Sequence, residues 1–280
     1  MIYTQQKELH SVMETLKNQG KTIGLAPTMG ALHEGHLSLI KKAKEENDIA
    51  VVSIFVNPTQ FNNPTDLEKY PRTLTADVEK ISEYSEEVII FAPSVSDIYG
   101  EEVLAQPFDF AGLDKVMEGS SRPRHFDGVG TIVKKLFEIV MPDRAYFGEK
   151  DYQQLLIIQQ MVRQTGLPVT IVPCPIVRNS EGLALSSRNT LLSDAMRQRA
   201  SFIYRTLLTA KERFATHTPA EVETWVVDTF AKESDFTLEY FTITDAHNLQ
   251  HITTKEAGKE YRAFIVVYAE GVRLIDNISL

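Results

Sequence analysis

Apolar positions along this chain recur with two periods, and their order predicts alternating helices and strands. Leu9, Val12, Met13 and Leu16 fall at helical spacing and predict a helix over 4–19, ended by Gly20. Thr22-Ile23-Gly24-Leu25-Ala26 reads as a short buried strand, and Leu37–Ala43 as the start of a helix reaching about Asn47. The run 49–56 is β-branched and apolar on both faces, the pattern of a central parallel strand. Further strands are expected at 88–91, 145–147 and 169–172, with helices near 75–84, 127–140 and 152–164. Residues 94–124 read as irregular. Five strand–helix alternations imply right-handed crossovers and an α/β, Rossmann-like, doubly wound parallel sheet. Ligands of such sheets bind beyond the carboxyl ends of the strands, so loops 27–36, 57–61 and 148–151 are expected to line one crevice.

After Pro173 and Pro175 the pattern changes. Two long helices are expected, 193–215 and 219–232, the second opened by Thr218-Pro219. Alternating runs at 236–243, 263–268 and 272–275, the last two joined through Glu270-Gly271, predict antiparallel strands with a hairpin. The expected division is a Rossmann-like domain over 1–176 and a smaller C-terminal α+β domain over 177–280.

The 280 residues carry 29 Lys and Arg against 38 Asp and Glu, a formal net charge of −9. That balance argues against a general nucleic-acid partner. The only cysteine, Cys174, excludes an intrachain disulfide and favours a reducing compartment. The start, Met1–Lys7, lacks a charged-then-apolar signal pattern, and no apolar run approaches the roughly 18 residues of a membrane span. A cytoplasmic protein is expected.

The chemistry concentrates at Pro27-Thr28-Met29-Gly30-Ala31-Leu32-His33-Glu34-Gly35-His36. A strand feeding a glycine-bearing turn and a helix N-terminus is an anion site, with backbone N–H groups and the helix dipole directed at the ligand. His33 and His36 add two donors for phosphate oxygens. They do not form the H-E-x-x-H pair of a zinc site, and no metal-ligating set is expected. The spacing from Gly30 to Gly35 resembles a Walker loop, but His36-Leu37 replaces the required Lys and Ser or Thr. Lys150 and Arg188 lie on loops expected to face the same crevice, and Ser186 and Ser187 supply hydroxyls in a small polar segment able to close over a triphosphate. Gln60, Gln154 and Asn57 are neutral amides suited to hydroxyls and to a carboxylate that must remain nucleophilic. Asp77 and Asp151 could support a metal or a ribose hydroxyl, but acidic residues at a helix start are more often simple caps.

Together these residues resemble the pantoate–β-alanine ligase family. The ten-residue turn is its signature, and the same order recurs in Phe55-Val56-Asn57-Pro58 with Gln60-Phe61, Tyr70-Pro71-Arg72, His125-Phe126-Asp127-Gly128-Val129, Gly148–Gln154 and Leu185–Asn189. The two-histidine element alone marks only the wider nucleotidyltransferase superfamily. The resemblance implies a two-step ligation of pantoate and β-alanine driven by ATP with Mg²⁺, through an adenylate, in a homodimer with a C-terminal lid. It implies catalytic roles for His36, His33, Lys150 and Arg188. Nucleotide contacts would come from Met29, Gly30, Ala31, Leu32, His33, Glu34, Gly35 and His36, with Gly148, Glu149, Lys150, Asp151, Val177, Leu185, Ser186, Ser187 and Arg188. Gln60 and Gln154 would contact pantoate, Gln60 also β-alanine. Arg124 stands where the family usually has glycine, and Leu185 where methionine is common. An adenylyltransferase that keeps AMP in its product and a non-catalytic nucleotide sensor are the competing readings.

Overall fold

The computed structural model describes residues 1–280 and places them in two units. The first comprises Met1–Glu149 and Gln153–Pro175; the second comprises Lys150–Tyr152 and Ile176–Leu280. In chain order the elements begin β1 (Ile2–Tyr3), α1 (Gln6–Asn18), β2 (Ile23–Thr28), α2 (Glu34–Glu46) and β3 (Ile49–Ile54). There follow α3 (Pro64–Lys69), α4 (Leu74–Tyr84), β4 (Ile89–Phe91), α5 (Val95–Tyr99), α6 (Met117–Ser121) and α7 (His125–Val140). β5 (Arg144–Gly148), α8 (Tyr152–Thr165) and β6 (Thr170–Cys174) complete the αβ series. The rest is α9 (Asp194–Arg199), α10 (Ser201–Phe214), α11 (Pro219–Phe230), β7 (Phe236–Asp245), β8 (Tyr261–Ala269) and β9 (Val272–Ser279).

The first six strands form one parallel sheet in the order β1-β4-β3-β2-β5-β6. Leu25, Ala26, Val51, Val52, Ile89 and Ile90 are all buried, as a sheet covered on both faces requires. Helix α2 buries Leu39, Ile40 and Ala43, and α7 buries a broader stripe from Phe126 to Val140. From β2 the chain moves to β3 on one side and later returns to β5 on the other. That reversal opens a crevice at the carboxyl ends of β2 and β5. The turn after Thr28 and the loop after Gly148 leave from these two adjacent strand ends.

The second unit packs α10 and α11 on an antiparallel sheet ordered β7-β8-β9. Its core includes Ile203, Leu207, Val222, Val226, Ile243, Ile265 and Val267. The hairpin turns at Glu270 and Gly271, both at positive φ (49° and 76°), the handedness that matches the twist of the strands it joins.

Several local expectations need correction. Residues 94–124 contain α5, α6 and a 3-10 turn at Leu113–Lys115. Five-residue helices are too short to leave a periodic signal. The helix expected over 193–215 is two helices meeting at Ala200, where the Ser201 hydroxyl bonds Gln198 O. No glycine or proline marks that joint. The two-residue β1 pairs with Ile90 and Phe91 at the sheet edge and is too short to announce itself.

Candidate active site

Helix α2 begins earlier than the apolar pattern indicated, so the histidines stand at its very start. His33 is the N-cap and His36 the third helical residue. Gly35 N–H donates to His33 Nδ1 at 3.1 Å, and His33 N–H donates to His36 Nδ1 at 3.3 Å. The two imidazoles thus form a reciprocal capping box, a job usually given to Ser or Thr with Glu or Gln. With both Nδ1 atoms accepting, the proton of each neutral ring sits on Nε2, the nitrogen suited to donate to a phosphate oxygen. The ring centroids lie 4.0 Å apart. The three-residue spacing is therefore a capping geometry.

The backbone of the turn is less open than the sequence suggested. Ala31 and Leu32 donate their N–H groups to Asp77 at 3.0 and 2.7 Å, and Gly30 N–H meets the Thr28 hydroxyl at 3.3 Å. The expectation of free amides aimed at an anion fails for these three residues.

Gln60 ends a 3-10 turn at Pro58–Gln60, just beyond β3. Its Nε2 approaches Met29 Sδ at 2.8 Å, which brings the loop at 57–61 against the histidine turn. Its Oε1 accepts from Asn57 Nδ2 at 3.2 Å, and its carbonyl pairs with His125 Nδ1 at 2.7 Å. Asn57 is 1% exposed; its Nδ2 also reaches Gly128 O, and its Oδ1 accepts from Tyr99 and Thr59. Asn57, expected as a substrate contact, holds the Gln60 amide through its Nδ2. The adjacent glutamines 153 and 154 separate in the same way. Gln153 is buried, donating to Leu113 O and Val116 O and accepting from Glu118 N–H, whereas Gln154 is half-buried on α8. Gly148 ends β5 and Glu149 follows it, both in the first unit.

The remaining expected residues lie in the second unit. Lys150, Ser186 and Arg188 line one pocket there, with Asn189, Arg273 and Asp276. Ser186 caps the 3-10 turn Ser187–Leu191 by accepting Arg188 N–H at 3.3 Å. Val177 and Leu185 are joined by a backbone bond of 2.9 Å across a tight hairpin turning at Gly182. Arg178 forms a bidentate pair with Asp276 at 2.6 and 2.9 Å and stacks on Tyr204, fixing that hairpin to β9. Asp151 is exposed beside Lys150, at 3.8 Å from its Nζ. Lys150 O accepts from Asn277 Nδ2 at 3.0 Å.

The family model for pantoate-beta-alanine ligase matches residues 1–279. The chain belongs to the pantoate–β-alanine ligase family. Among relatives, the pantothenate synthetase of Christiangramia forsetii is 50% identical over 279 residues, 100% of this chain and 99% of that one. That of Flavobacterium psychrophilum is 52% identical over 280 residues, with the same coverage. The crystal structure of the Thermus thermophilus enzyme superposes with a TM-score of 0.89 at 38% identity, covering 99% of this chain and 98% of its own. The Francisella tularensis ligase, solved with beta-gamma ATP and β-alanine, gives 0.76 at 36% identity, covering 100% and 97%. Membership makes this chain an ATP-dependent ligase of the pantoate–β-alanine class.

Four residues of the ligase support the site, and of these the sequence singled out only Asp77 and His125, neither of them for this work. Asp77 and Lys80 hold the turn from α4, His125 holds the Gln60 carbonyl, and Asn277 holds Lys150. The i, i+3 spacing of Asp77 and Lys80 is visible in the chain, but nothing in it says which backbone atoms they meet.

Proposed function

We propose that this enzyme joins pantoate to β-alanine in two steps at the crevice beside β2. A pantoate carboxylate oxygen attacks the α-phosphorus of ATP, the bond to the β-phosphate breaks, and pyrophosphate leaves with the electron pair. The β-alanine amine then attacks the acyl carbon, AMP departs, and the ammonium proton passes to solvent. The observation that carries this reading is the contact of Gln60 with Met29, which sets a neutral amide beside the histidine capping box. An amide can hold the hydroxy acid without clamping its carboxylate, which must stay nucleophilic.

In-line transfer at phosphorus depends mainly on positioning and on stabilising charge on the oxygens. In this reading His33 and His36 donate from Nε2 to the phosphates. Lys150 and Arg188 supply positive charge, Ser186 and Ser187 supply hydroxyls, and Met29–His36, Gly148–Asp151, Val177 and Leu185–Arg188 contact the nucleotide. Gln60 and Gln154 contact pantoate. ATP enters as its Mg²⁺ complex; the ion is carried by phosphate oxygens, the usual habit of Mg²⁺. No group of three or more His, Cys, Asp or Glu is placed to hold a resident ion. The family resemblance further supports a homodimer with a mobile C-terminal lid, working in the cytoplasm. Cys174 is buried, and burial pushes its thiol up to about 11.

Omitting each substrate in turn tests the reaction. Pantoate alone should support exchange of labelled pyrophosphate into ATP, and AMP should appear only when β-alanine is added. An AMP-containing product that persists with both acids present would favour the adenylyltransferase reading.

A further inference from the structure

Asp77 reads in sequence as a cap near the start of α4, and the structure gives it different work. It is the fourth residue of the helix, 3% exposed, and its carboxylate reaches across to the histidine turn. Oδ1 accepts Leu32 N–H at 2.7 Å; Oδ2 accepts Ala31 N–H at 3.0 Å and the Thr73 hydroxyl at 3.0 Å. One turn later Lys80 Nζ donates to Leu32 O at 2.6 Å. Two side chains of one helix thus hold two consecutive amides and the carbonyl between Leu32 and His33. The backbone so held is unusual. Gly30 and Ala31 have φ of 82° and 51°, and an alanine in that region is strained by its Cβ. Such a conformation persists only where the surroundings over-determine it. Only Leu32 separates this pair from the His33 cap, so their dihedrals set where α2 starts and where both imidazoles stand.

We propose that Asp77 is a positioning residue for the adenylating step, acting through the backbone of Ala31 and Leu32, with Lys80 as its partner. The claim rests on the assignment of His33 and His36 to the phosphates. A simple helix cap would bond the amides of α4 itself, whereas the Asp77 side chain bonds the turn, 45 and 46 residues earlier. A cation ligand needs oxygen lone pairs directed at the ion, and here three donors already occupy the two oxygens.

Asp77→Ala and Lys80→Met test the proposal by two readouts. Amide hydrogen exchange in the segment 29–33 should accelerate at least about tenfold in Asp77→Ala, the loss of two hydrogen bonds, while the peptide from β4 keeps its wild-type rate. In pantoate-dependent ATP–pyrophosphate exchange, kcat should fall about 10- to 100-fold with the pantoate KM within threefold, the signature of misplaced groups. Lys80→Met, which leaves the carboxylate intact, should shift both readouts in the same direction by less. Should Asp77→Ala not fold, Lys80→Met and Thr73→Val decide the question. Unchanged amide exchange in folded variants overturns the clamp, and faster amide exchange with kcat within threefold overturns its catalytic role. Wild-type protein inactive in pyrophosphate exchange would refute the phosphate assignment, and with it the catalytic role, while amide protection still reports on the clamp separately.

Discussion

Replacing Gly128 by alanine sets two physical effects against each other. Gly128 lies near the start of α7, where alanine is favoured by about 1 kcal/mol on helix propensity alone. A Cβ at this position, however, meets Thr59 O at 2.3 Å, Thr59 C at 2.5 Å and Gln60 N at 2.8 Å. Ordinary contact begins near 3.4 Å, so the Thr59–Gln60 peptide must retreat by about 1 Å. Overpacking of this kind costs about 1–3 kcal/mol, and the neighbour is backbone, which cannot rotate aside. We therefore expect Gly128→Ala to lose up to about 2 kcal/mol in urea unfolding. The peptide that moves carries Gln60, and a 1 Å misplacement of a positioning group can cost about 10²-fold in rate. Steady-state assays should show kcat/KM for pantoate reduced about 10- to 100-fold, with ATP binding nearly intact because the histidine turn is not displaced directly. A variant as stable as wild type, with kcat/KM for pantoate within threefold, would refute the reasoning.

Three further outcomes are expected. His36→Ala should slow pantoate-dependent ATP–pyrophosphate exchange by about 10²–10³-fold, the scale of removing one transition-state donor; a loss below threefold sinks that role. Arg178→Met should destabilise the protein by about 3 kcal/mol in urea, because it strands Asp276, whose side chain is 4% exposed; a change below about 1 kcal/mol contradicts the reading of that pair. Burial acts to raise the Asp143 carboxyl, but hydrogen bonds from Lys17 Nζ (2.6 Å) and Ile23 N–H (2.7 Å), with the charges of Lys17 and Arg144, outweigh it and hold the group below its ordinary range. Its contribution is therefore full above about pH 4 and is lost as pH falls through the lowered value. Unfolding curves should fall less steeply below pH 4 in Asp143→Asn than in wild type, and parallel curves argue against it.

The sheet was legible because both faces of β3, β4 and β5 are apolar, and composition alone then demands burial between helices. The histidine turn was legible from its glycines and its place between a strand and a helix. What the histidines do to each other was not. A capping box is normally recognised from Ser or Thr and Glu or Gln, and the chain offers imidazoles at the same spacing. The support of the turn was equally hidden, because Asp77 acts on residues more than forty positions away. Asn57 illustrates the converse. Its neutral amide beside Gln60 suits a substrate, and only the structure shows that both its side-chain polar atoms are hydrogen-bonded within the protein. Arg124 went against expectation, since an arginine was not expected to use the φ freedom of glycine. Its φ of 61° nevertheless lies in the region that glycine enters freely.

Lys150, Asp151 and Tyr152 belong to the second unit although the chain does not enter that unit for good until Ile176. Within it, Asn277 holds the Lys150 carbonyl, Arg262 lies 3.8 Å over the Tyr152 ring, and that ring packs 6.0 Å from Phe264. The two units are thus not two separable pieces of polypeptide. A cut at 175/176 leaves the carboxyl-terminal fragment without the tyrosine that covers Phe264, and leaves the amino-terminal fragment carrying a lysine stripped of its anchor. Exchange of the carboxyl-terminal unit between relatives therefore has to carry a three-residue graft at 150–152 with it.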